Sequence, residues 1–291
     1  MRLTGVVGVG LLVWLTAGCQ TDAPRAAAPK SSTTVATPAA VGTSATSGVP
    51  SAPRGSRLAR AVSSMRAAKS VRFSVTSDLA VPGFRVRTVR DVRVDVSRNR
   101  QHVRVVMTPS EGKEAGKKLE TDVVVTSKAY YLTMPSWTDA RRGKWLRFTG
   151  SAMVNAGIPA PDRANTTAVP LGVAEFTADR GADGTGASIT GTVDAASGMN
   201  LLGMQTALSK DARLSDTLAG RIPAVLTFKP SGAIASLTVS GRGHSVTGSS
   251  TTTPMDYLQE MITGATAKLT VADVGGPVDI IVPPRSKIYR D

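Results

Sequence analysis

Residues 84–107 read FRVRTVRDVRVDVSRNRQHVRVVM. After the Pro82-Gly83 turn, Phe84 and Val86 open a run in which Val92, Val94 and Val96 keep one parity. Arg85, Arg87, Arg93 and Asp95 take the other. Side chains of an extended chain alternate between two faces, so this spacing predicts a strand with one apolar and one charged surface. The Arg98-Asn99-Arg100 turn follows, and Val103, Val105 and Met107 repeat the alternation. Upstream, Val71-Arg72-Phe73-Ser74-Val75 has the same period. Downstream, a polar loop from Thr108 to Lys118 leads to Val123 and Val125, then Tyr130 and Leu132, a loop holding Trp137, and Lys144 to Phe148. The stretch is a meander of antiparallel strands, apolar on one side and charged on the other.

Helices flank this meander. Ser56 is placed to cap a helix with Leu58, Ala61, Val62 and Met65 on one face and Arg57, Arg60 and Arg66 mostly on the other. A short helix is expected near Val169 to Phe176, then a Gly-rich turn at Gly181 to Gly186 and a strand from Ile189 to Val193. Asp194 can cap a helix running through Met199, Leu201, Met204 and Leu208. Strands return at Ala224 to Phe228 and Ile234 to Val239, and Thr253-Pro254 starts a helix bearing Met255, Leu258 and Ile262. Leu269 to Val274 and Val278 to Val282 are read as closing strands before Pro283-Pro284. No repeat recurs at a solenoid or propeller period. The fold class that follows is α+β: a curled antiparallel sheet, or half-barrel, with amphipathic helices covering its apolar face. Valine is a small filler, so sheet and helices can enclose space.

The N-terminus carries a different signal. Arg2 precedes an uncharged apolar run that ends in Leu15-Thr16-Ala17-Gly18-Cys19, the tripartite plan of an export leader. The run is shorter than the roughly 20 residues a membrane span needs. The small residues before the chain's single cysteine resemble a bacterial lipobox, with Thr16 where such leaders usually have Leu. The reading is a signal peptide over 1–18, cleavage between Gly18 and Cys19, and acylation of Cys19. Residues 19–52 then form a Ser/Thr/Ala/Pro-rich tether with an end-to-end distance on the order of 30 Å, and 53–291 form a single domain. The mature protein is expected on the outer face of the plasma membrane, held by its lipid.

Composition narrows the chemistry. One cysteine and two histidines among 291 residues exclude a disulfide framework and most metal centres, so neither metal nor cofactor is expected. Aromatic residues are only 4%, which argues against stacking on single-stranded nucleic acid. Losing Arg2 with the leader leaves 34 Lys and Arg against 21 Asp and Glu. That excess suits an anionic membrane surface or envelope polymer, and the compartment rules out DNA. His102 and His244 have no legible acid partner, and no serine sits in a G-x-S-x-G elbow, so no catalytic residue is assigned and no enzyme is expected. Met199, Met204, Met255 and Met261 fit either an adaptable apolar site or ordinary core packing, and the second is favoured.

Ala68-Lys69-Ser70-Val71-Arg72-Phe73, Gly143-Lys144-Trp145, and Thr270 to Val278 with Pro283-Pro284 are similar to segments of the LppX/LprA/LprF/LprG group of LolA-like mycobacterial envelope lipoproteins. The resemblance spans about 56–288 and is thinnest over 150–220. It implies a half-barrel that binds lipid or glycolipid in an apolar cavity and carries it within the envelope. The lining would be Val71, Phe73, Val75, Val92, Val94, Val103, Val105, Val123 and Val125 on the sheet, with Leu201, Met204, Leu208, Leu258 and Ile262 on the roofing helices. Partners are then the membrane, through the acylated cysteine, and a lipid ligand; the protein is expected to be a monomer. The alternative is a non-enzymatic surface lipoprotein whose Arg85, Arg87, Arg93 and Arg104 form a basic sheet face for an acidic protein or polymer.

Overall fold

The structure is a computed structural model that describes residues 56–81, 83–111, 114–149, 168–179, 187–203, 220–244 and 255–289. The leader, Gly18, Cys19 and the tether lie outside the described residues, as do Met204, Leu208 and the whole Gly181 to Gly186 turn.

Eleven antiparallel strands form one open sheet. In chain order they are β1 (Ser70–Val81), β2 (Phe84–Asp95), β3 (Arg100–Pro109), β4 (Leu119–Thr126), β5 (Tyr130–Thr133), β6 (Leu146–Phe148), β7 (Thr177–Ala178), β8 (Ser188–Asp194), β9 (Arg221–Phe228), β10 (Ile234–Ser240) and β11 (Thr266–Val274). Their spatial order is β6-β5-β4-β3-β2-β1-β11-β10-β9-β8-β7. Two meanders, β1 to β6 and β7 to β11, therefore join along a single seam between β1 and β11, where Phe73 faces Val271 and Val75 faces Leu269. Each meander arises because consecutive strands pair through short turns. The β2–β3 turn shows how: Asn99 takes a positive φ of 48°, which asparagine tolerates. Asp95 accepts from the Ser97 hydroxyl at 2.6 Å and the Arg98 amide at 3.0 Å, closing the corner.

The helices collect on the apolar side. Ser56 caps the Arg57–Ala67 helix by accepting from the Ala59 amide, and Leu58, Ala61 and Met65 are its buried residues. A single turn, Leu171–Ala174, follows the 150–167 region. The Ala195–Leu202 helix is capped by Asp194, as its sequence position predicts. It stops at Leu202, where Gly203 turns left-handed at φ 80° and terminates the ladder. Although only eight residues long, it lies against β1, β8, β9, β10 and β11, which the sheet achieves by curling around it. The Met255–Thr263 helix lies against β1.

Val278 to Val282 is not a strand. The segment runs beside the sheet without joining its ladder. Arg100 donates to the Ile280 carbonyl at 3.3 Å, Ile280 is buried and Ile281 points outward. The closing strand is β11, inserted at the middle of the sheet.

Candidate functional site

The inner face of the sheet is built from cross-strand rows. One runs through Val271, Phe73, Val92, Val103, Val123 and Leu132, all buried. The next runs through Leu226, Leu237, Leu269, Val75, Arg90, Val105 and Thr121. A third, through Val239, Ala267, Ser77, Thr88 and Met107, is more polar. The face is thus apolar in its first row, turns polar over the next two, and is apolar again where Leu79 faces Val86.

Arg90 stands where the face turns polar. It is 3% exposed, between Val75 and Val105. Its Nη1 donates to the Asn200 carbonyl at 3.0 Å and its Nη2 to the Leu201 carbonyl at 2.5 Å. These are among the last carbonyls of the Ala195–Leu202 helix, where the peptide dipoles leave partial negative charge; the Asn200 carbonyl also accepts from the Gly203 amide at 3.0 Å. A guanidinium supplies two parallel donors and stays charged, so it satisfies both groups in one step. Sequence reasoning misses Arg90, although a signal is present. It shares the parity of Val86, Val92 and Val94, so it must point inward. Its partners, about 110 residues further along the chain, carry no such mark.

The residues assigned to a lining are placed as follows. Val71, Phe73, Val75, Val92, Val94, Val103, Val105 and Val123 are buried on the inner face, and Val125 is partly buried at its margin. Leu201 and Ile262 are buried on the helices, in the same apolar cluster. Leu258 falls in the Met255–Thr263 helix, and its side chain is outside the described residues. Met199 is fully buried, and Met261 packs at the edge of the cluster. Met255 lies in the same helix as Leu258, with its side chain likewise not described.

The outer face carries the charges. Arg85 pairs with Glu111, Arg87 with Asp78 and Arg104 with Glu120, the last at 2.7 Å. The Glu120 hydrogen bond and charge raise the Arg104 pKa above its ordinary value. Of the four arginines read as a positive stripe, Arg85, Arg87 and Arg104 are therefore paired with carboxylates on the neighbouring strands and loop, whereas Arg93 faces no carboxylate within ion-pair distance among the described residues. His102 does have an acid partner, contrary to expectation: its Nε2 is 3.1 Å from Asp122 Oδ1. His102 faces Val124 on β4, so Asp122, two residues away on the same side, is its diagonal neighbour. The pair borders an open depression of about 350 Å³ with Arg72, Arg93 and Asp91. His244 is buried, and its carbonyl accepts from Gln259 Nε2 at 2.7 Å. Asp95 is also buried: burial acts to raise its pKa, but the bonds from Ser97 and Arg98 and the Arg98 charge outweigh it and hold the carboxyl below its ordinary value. Among the described residues, no group of His, Cys, Asp and Glu is arranged to hold a metal, and no helix is long and apolar enough to cross a membrane.

No protein-family model and no curated protein sequence matches the chain. Among solved structures, the lipoprotein LppX of Mycobacterium tuberculosis is similar at 15% identity and a TM-score of 0.39, over 77% of this chain and 96% of that one. A LolA superfamily protein from Nitrosomonas europaea is similar at 11% identity and a TM-score of 0.22, over 80% and 96%. A DUF1329 family protein from Desulfovibrio piger stands at 10% identity and 0.23, over 77% and 92%.

Proposed function

We propose that this chain is a non-enzymatic lipoprotein that binds lipid or glycolipid against the inner face of its sheet and carries it within the cell envelope. The mature protein begins at Cys19, which is acylated and holds it on the outer face of the plasma membrane. Residues 19–52 are the tether and 53–291 the binding domain.

The observation that carries this reading is the apolar inner face. A broad apolar surface of Phe73, Val92, Val103, Val123 and Leu132 is followed by a buried polar belt at Ser77, Thr88, Arg90 and Thr121 and then by Leu79 and Val86. Acyl chains match the apolar surface by burial, at about 25 cal/mol per Å² before association costs. The test is native mass spectrometry, with lipid extraction, on the non-acylated mature chain from Gln20. Lipid co-purifying at near one-to-one stoichiometry is the expected result. A lipid-free protein that also takes up no fluorescent lipid refutes the reading.

A further inference from the structure

The far end of the sheet, at β6, is finished by the C-terminal segment. Trp145 donates its amide to the Lys287 carbonyl at 2.8 Å and accepts from the Tyr289 amide at 2.9 Å, forming a parallel bridge to Ile288. Lys144 Nζ clamps the same segment by donating to the Ser286 carbonyl at 3.0 Å. The segment is a strap that occupies hydrogen-bonding groups at this edge, so recognition here falls to side chains rather than to strand addition.

Those side chains are mostly cationic. Residues 139–149 and 281–289 together hold six Lys and Arg against one Asp. That carboxylate, Asp139, is engaged by Arg141 through a charge-assisted hydrogen bond. Asp122, on β4 two strands in from this edge, is engaged by His102. Among the described residues Arg142, Arg147, Arg285 and Lys287 face no carboxylate within ion-pair distance, whereas Arg85, Arg87 and Arg104 each have one. Arg147 and Arg285 border an open depression of about 580 Å³ with Tyr131 and Tyr289. Further along the strap Ile281 is 75% exposed.

We propose that this strap edge is a docking surface for a membrane rich in anionic phospholipid. Unneutralised cations at one end of the molecule match lipid phosphates, with each Lys or Arg near such a surface contributing about 1 kcal/mol. Tyrosine rings with a polar tip sit at headgroup level, and an exposed aliphatic side chain gains by entering the interface. A soluble polyanion would use the charges but has no use for Ile281. The inference does not depend on lipid carriage, since it concerns the outside of the sheet edge.

The test is sedimentation of the non-acylated mature chain with vesicles of phosphatidylcholine alone or with phosphatidylglycerol, at low and physiological salt. Binding is expected only with phosphatidylglycerol, weakening as salt rises. Arg147→Gln with Arg285→Gln should weaken partitioning by about 25-fold, which is about fivefold per charge. Both side chains are exposed, so the fold is retained. Arg147→Lys with Arg285→Lys should restore most of the binding. Arg85→Gln with Arg87→Gln removes the same net charge elsewhere and should change partitioning by less than about twofold, because those charges are already paired. The proposal is overturned if the first pair binds like the wild type, or if the control pair loses as much. It is also overturned if phosphatidylglycerol makes no difference, or if the protein binds heparin through these arginines while ignoring vesicles.

Discussion

Replacing Arg90 with methionine tests the inner face most directly. Methionine keeps most of the length and all of the apolar contact with Val75 and Val105 but removes the donors to the Asn200 and Leu201 carbonyls. The Asn200 carbonyl keeps its bond from the Gly203 amide, so the Leu201 carbonyl is the buried acceptor that loses its donor, at a cost of about 1–3 kcal/mol. Against this, methionine does not carry the desolvation penalty of a buried cation, which offsets part of the loss. The net expectation is a destabilisation of about 1–2 kcal/mol by Arg90→Met. Arg90→Lys keeps the charge but not the fork of paired donors, and should lie between it and the wild type. Urea denaturation is the assay: the midpoint should fall while the slope stays constant, since the surface exposed on unfolding is unchanged. Hydrogen exchange adds a local reading, because the Gly203 amide bonds to the Asn200 and Met199 carbonyls and should lose protection first. A loss below about 0.5 kcal/mol, the range of ordinary surface substitutions, would refute the reasoning. It would mean that water already reaches these carbonyls and that Arg90 does not secure the helix end.

Two further predictions concern the rest of the chain. Asp95 has a pKa below its ordinary value in the folded protein, so its contribution to stability is complete above the unfolded value near 4 and is lost as pH falls through the folded value. Asp95→Asn should therefore lower stability at neutral pH by about 1–2 kcal/mol and flatten its decline in acid, as read by melts between about pH 2 and 7; an unchanged acid profile would refute it. Cys19→Ser should move the protein from the membrane fraction to the soluble fraction, because acyl chains contribute about 0.8 kcal/mol per buried methylene. Equal membrane retention of this variant would show that another feature is the anchor.

Much of the site is legible in the sequence, and the reason is the range of the forces involved. Strand parity is set by the backbone within two residues, so the inward placement of Val92, Val94, Val103 and Val105 follows from spacing alone. Caps are equally local, which is why Ser56 and Asp194 are readable as helix starts. The end of the Ala195–Leu202 helix is not readable in the same way, because apolar spacing continues past a glycine whose left-handed turn breaks the ladder. Val278 to Val282 misleads for a related reason: it has strand-like composition, but β11 is already paired on both sides by β1 and β10 and leaves it no edge there.

What tertiary structure alone decides is which distant pieces meet. β1 and β11 are both apolar strands with suitable partners in many places, and nothing in their residues specifies that they form the seam between the two meanders. The Lys144–Ser286 clamp and the Arg90 bonds to Asn200 and Leu201 likewise join segments more than a hundred residues apart. Parity states which way a side chain points. Only closing the long loops between such segments states what it meets there, and that depends on the whole chain collapsing around one sheet.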